Sequence, residues 1–103
     1  MAIFSIAQED SDCSKTLKKA QRVYDSGEIE KVIDLIGPCL EEGFTNAEKT
    51  EAYKLIILVQ LFEDNIPDAE FTMVDLLKIN PDFKPKFNDH QEIKDLYKKF
   101  RTD

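Results

Sequence analysis

The stretch TNAEKTEAYKLIILVQLF, residues 45–62, restricts the fold more than any other part of the chain. Thr45 followed three residues later by Glu48 is a capping box, in which hydroxyl and carboxylate each satisfy an amide that the first turn of a helix leaves without a partner. No Gly or Pro lies between Glu48 and Phe62. The run from Leu55 to Phe62 therefore continues a capped helix, although Ile56, Ile57 and Val59 on their own would favour a strand. A helix apolar on nearly every side has to be the middle element of a small bundle. The rest of the chain must supply the helices that cover it.

It does so in order. Leu17, Ala20, Val23 and Tyr24 recur at three- and four-residue steps opposite Lys15, Lys18, Lys19 and Arg22, which predicts a half-buried first helix from Cys13 that ends at Gly27. Ile29, Val32, Ile33, Ile36 and Leu40 form the stripe of a second helix that stops near Gly43, with a kink expected where Pro38 cannot donate to the carbonyl of Asp34. After FEDN, Pro67 suits the first turn of a fourth helix with Ala69, Met73, Leu76 and Leu77 inside, ending at NPDF. KPKFNDH reads as a linker. Asp89 is then expected to cap a fifth helix, with Glu92 three residues on, Ile93, Leu96, Tyr97 and Phe100 as its apolar face, and Lys94, Lys98, Lys99 and Arg101 outside. The reading is all-α: two antiparallel helix-turn-helix units plus a C-terminal capping helix, as a single domain over 13–103 behind a tail over 1–12.

At 103 residues, 42% hydrophobic and 34% charged with three Gly and four Pro, the chain is long enough and apolar enough to form one core. A net charge of -7 is the wrong balance for neutralising phosphates, so nucleic acid is not an expected partner. The longest apolar run, Leu55 to Val59, is far short of the roughly twenty residues of a membrane span. At the start, IFSIAQ ahead of acidic EDSD reads either as the end of a secretory signal behind an added Met-Ala, or as an ordinary tail whose apolar residues pack on the first helix.

In a helical hairpin turning near Ser26 and Gly27, Cys13 and Cys39 are equidistant from the turn and lie side by side at its open end. Three readings of the pair stand open: a structural disulfide, two reduced buried thiols acting as small apolar side chains, or a metal or redox site. The spacing argues against metal, since zinc wants closely spaced Cys or Cys/His pairs and His90 is remote in the sequence. A disulfide requires an exported chain, which is what a signal remnant would imply. His90 is the only histidine, acid pairs such as Glu41 with Glu42 and Glu63 with Asp64 are what 21 acids produce by chance, and no phosphate loop, HExxH or calcium loop is present. No enzyme activity and no cofactor are expected.

Overlaying Gly27 on Asp64 puts Ile29 on Ile66, Val32 on Ala69, Ile36 on Met73, Cys39 on Leu76 and Leu40 on Leu77. With Ala20 and Gly27 in the first unit and Tyr53, Ala69 and Pro81 in the second, residues 13 to 83 resemble a tetratricopeptide repeat, the fifth helix serving as cap. The wider string, from Cys13 through YDSGEIEKVIDLIGPCLEEGF, KTEAYKLIILVQLFEDN and INPDFKP to LYKKFR, is similar to the amino-terminal helical domain of some exported cell-envelope proteins of Gram-negative bacteria. That likeness implies a periplasmic or envelope location, with a membrane or envelope segment following in the full protein. The repeat likeness implies a concave face built from the first helix of each pair, which would present Gln21, Tyr24, Lys54, Leu58 and Leu61 to a protein or peptide partner. The expected function is a non-catalytic interaction or scaffolding module. Its alternatives are a spacer domain without a ligand, in which the fifth helix covers Leu58 and Leu61, and a cytosolic adaptor.

Overall fold

In the computed structural model the backbone is described from Ala2 to Arg101 and the side chains from Asp12 onward. The described residues form five α-helices, α1 (Ala2–Asp25), α2 (Val32–Glu41), α3 (Asn46–Phe62), α4 (Ile66–Ile79) and α5 (Gln91–Phe100), with a 3-10 turn, Ile29–Lys31, leading into α2 and no strand. The fold is all-helical, as the periodicity predicts. Residues read as one domain divide into two compact units, Met1–Ala52 and Tyr53–Asp103. The boundary falls inside α3, with no linker there to mark it.

Three helix ends are built alike. After α1, Glu28 N–H donates to Val23 O at 3.0 Å and Gly27 N–H to Tyr24 O at 3.1 Å, with Gly27 at φ +90°. Phe44 N–H to Cys39 O closes α2 at 3.0 Å around Gly43 at φ +130°. At the end of α3, Asn65 N–H reaches Gln60 O at 2.8 Å and Asp64 N–H reaches Leu61 O at 3.1 Å, while Asp64 takes φ +60°. In each, one residue with positive φ turns the chain so that amides beyond the helix cap its last carbonyls. Only two of the three use glycine; the third uses aspartate, whose short polar side chain tolerates that conformation.

Helix starts vary more. The capping box forms as expected: Thr45 N–H donates to Glu48 Oε1 at 2.9 Å and Glu48 N–H to Thr45 Oγ1 at 3.1 Å. Asn65 caps α4 by accepting from Asp68 N–H, with Pro67 in the first turn. The cap of α5, however, is His90, which makes no side-chain bond there. Asp89, expected in that role, is turned to other donors: Lys86 N–H at 2.6 Å and Lys54 Nζ at 2.9 Å. The first helix also begins earlier than the apolar spacing indicates. Its backbone is helical from Ala2, in a stretch without Gly or Pro; how Ile3 and Phe4 pack lies outside the described side chains, as do Met1, Thr102 and Asp103 altogether. Pro38 sits inside α2, which continues through it to Glu41.

In the first unit α1 packs on α2 and on the 3-10 turn. Ala20, Val32 and Ile36 are fully buried, with Ile29, Cys39 and Phe44 nearly so. In the second, α4 packs on α5, and Ile57, Ala69, Met73, Leu76, Phe83, Ile93 and Leu96 form one apolar cluster. The buried positions recur in the register of the repeat: Val32 and Ala69, Ile36 and Met73 are all at 0% exposure. The register fails at one pair, since Ile29 is buried and Ile66 exposed.

Candidate functional site

Two places in the molecule combine unusual side chains with unusual geometry. The first is the open end of the α1–α2 hairpin. Cys13 and Cys39 are joined in a disulfide with Cα atoms 5.9 Å apart, well inside the range that a bridge requires. Of the three readings the sequence leaves open, the structure takes the disulfide. Gly43 turns the chain directly against it: a Cβ at this position would collide with Cys13 Sγ, so the residue is held to glycine by space as well as by its positive φ. Next to Cys13, the Ser14 hydroxyl donates to Glu48 Oε2 while Glu48 Oε1 accepts from the Thr45 amide. The hydrogen bond from Ser14, followed by that from the Thr45 amide, holds the Glu48 carboxyl below its ordinary range. One end of the unit is thus fastened by a covalent bond and by a carboxylate bonded to two segments of the chain.

The second place is the buried pair Lys54 and Asp89, whose side chains are 11% and 15% exposed. Burial opposes the charge on Asp89, but the Lys86 amide and the Lys54 ammonium outweigh it and hold the carboxyl below its usual value. Nearby in sequence, burial is the first cause and the Asp75 charge the second that push the Tyr53 phenol up. The Lys54–Asp89 pair ties the linker after α4 to α3 and has the character of a structural ion pair.

These positions bear directly on the residues predicted to meet a partner. Gln21 is exposed and Tyr24 half-buried, both on α1 in the first unit. Lys54 is not presented to solvent, because its ammonium is committed to Asp89. Leu58 and Leu61 are half-buried and pack against the apolar cluster of the second unit. The apolar groups that do face solvent lie elsewhere. Phe62 and Phe71 are 70% exposed, and Phe87, in the linker before α5, is 98% exposed. Phe71 is discoverable in the sequence as an aromatic residue off the Ala69, Met73, Leu76 stripe of α4.

His90 is exposed at the start of α5. Among the described residues no three His, Cys, Asp or Glu converge as metal ligands, and no helix is long and apolar enough to cross a membrane. No protein-family model, curated protein or solved structure matches the chain.

Proposed function

We propose that this chain is a non-catalytic interaction or scaffolding module of an exported envelope protein, built from helix pairs in the tetratricopeptide manner. The observation that carries the reading is the Cys13–Cys39 bridge. A disulfide that closes a hairpin persists in oxidising compartments and is rare in the cytosol. The repeat likeness is supported by the two helix ends at Gly27 and Asp64, which overlay in sequence and share a positive φ and the same capping pattern. Two fully buried pairs, Val32 with Ala69 and Ile36 with Met73, continue the same register.

The spacer alternative has its own support, since Lys54 is buried in an ion pair and Leu58 and Leu61 lean on the core, leaving that part of the predicted concave face without free groups. Thiol trapping in the producing cells tests the compartment: acid quenching, alkylation, then reduction and a second alkylation. The proposal expects both cysteines to be protected from the first reagent. Alkylation of both at that step would replace the envelope module with a cytosolic adaptor. Leu58→Ala and Leu61→Ala then separate module from spacer, because a partner site loses binding at unchanged stability whereas a covered core position loses about 2 to 5 kcal/mol.

A further inference from the structure

The surface of the second unit between α4 and α5 is a groove with a basic rim. A cleft of about 250 Å³ has Val74, Leu77, Tyr97 and Phe100 as its walls and Lys78 and Arg101 at its edge. It shares Val74 and Phe100 with a concavity of about 240 Å³ that includes the exposed Phe71. At the other end it shares Tyr97 and Arg101 with a third, of about 220 Å³, bounded by Phe87, Lys86, Lys94 and Lys98. The three are neighbours along α5. From Lys94 to Arg101 the row runs about 10 Å, two turns of a helix laid against it.

Charge decides what fits there. Between Lys78 and Arg101 lie seven of the 14 Lys and Arg but only four of the 21 acids, a local excess of +3 in a chain of net charge -7. Among the described residues Glu70 is the only acid lining the three concavities, and Lys99 is already paired with it. Lys94 donates to Phe87 O and lies over its ring, 5.6 Å from the centroid, and the Arg101 guanidinium lies 5.9 Å from the centroid of Tyr97, so cations and aromatic faces are interleaved. Apolar walls beneath a basic rim match a ligand of the opposite pattern.

We propose that this groove docks an acidic, amphipathic segment of a partner protein, its apolar side chains seated on Val74, Leu77, Tyr97 and Phe100 and its carboxylates against Lys78 and Lys98. Such a segment lays one face of a helix into the groove through anchors at i, i+4 and i+7. The carboxylates fix register and partner choice. The proposal rests on the interaction-module reading and names the partner chemistry and the face, which is not the concave face expected from the repeat likeness.

The test titrates the whole oxidised, 15N-labelled chain with a synthetic helical peptide carrying Leu and Phe at i, i+4 and i+7 and Glu between them. Amide shifts confined to α4, the linker and α5 are expected, with affinity falling about tenfold when Gln replaces Glu in the peptide or when Lys78→Glu and Lys98→Glu are combined. Both lysines are exposed, so the double variant folds, and a peptide with Lys in place of Glu restores binding to it. Shifts elsewhere, no shifts, or equal binding of the Gln peptide overturn the proposal. So does preferential binding of phosphatidylserine vesicles that the peptide does not compete away, which would make the groove a lipid surface. Photocrosslinkers at Lys98 and at Gln21 in the producing cells keep the two readings apart. An adduct at Lys98 that maps to an acidic apolar segment supports the groove, an adduct at Gln21 alone overturns the groove and leaves the module, and adducts at neither overturn both.

Discussion

The two units hold their helices together by different means. Among the described side chains, the first fully buries Val32 and Ile36, and it places a disulfide, a glycine pressed against it and a capping box at one end. The second has no cysteine and is held by an apolar cluster, with Ile57, Met73, Leu76 and Ile93 fully buried and Phe83 meeting Tyr97 edge to face at 5.8 Å. A covalent cross-link acts mainly by restricting the unfolded chain, whereas packing acts on the folded one. The same helical pair can be secured by either, and the choice tells which perturbation each half will feel.

Truncation in the core of the second unit should do the most damage. Leu76→Ala or Ile57→Ala removes a fully buried side chain and leaves a cavity, and thermal or urea unfolding should report a loss of about 3 kcal/mol or more. Cys13→Ser should cost about 3 kcal/mol, the loop-closure value for a bridge spanning this much chain. It should act on the first unit, and Leu76→Ala should leave the redox behaviour of the cysteines unchanged.

Lys54→Met comes next, at roughly 2 kcal/mol, below the range for a fully buried pair because both side chains keep some exposure. Its pH signature ties the loss to Asp89. The Asp89 carboxyl is held below its ordinary value in the folded state, so its contribution is complete above about pH 4 and disappears as pH falls through the lowered value. The stability gap between Lys54→Met and the parent chain should therefore narrow as pH falls through that value, and Asp89→Asn should remove this component of the acid transition. The smallest effect is Thr45→Ala, about 1 kcal/mol for the lost cap, seen as faster amide exchange at Glu48.

Local rules carry far in this chain and fail where a distant residue intervenes. The capping box at Thr45, the glycine stops at Gly27 and Gly43, and the pairing of Cys13 with Cys39 are consequences of neighbours in sequence or of symmetry about one turn. Asp64 gives no such signal, because the left-handed position is usually read from glycine and here aspartate occupies it. Asp89 looks like a helix cap because Glu92 stands at the right interval after it. The Lys86 amide and the ammonium of Lys54, 35 residues away, bind it instead. Lys54 is misplaced on a binding face for the corresponding reason: a lysine in a helix reads as solvent-facing until its partner is known. The groove beside α5 is hidden differently. Tyr97 and Phe100 belong to a stripe that reads as core, and periodicity does not distinguish a side chain that fills the interior from one that lines a cleft beside it.

If a covalent bond secures the first unit and packing the second, reducing the disulfide must loosen one and spare the other. Amide hydrogen exchange on the oxidised and the reduced chain, read helix by helix, measures this. Reduction should strip protection from α1 and α2 while α4 and α5 keep theirs. Unchanged protection in α1 and α2, or an equal loss in α4 and α5, would contradict it.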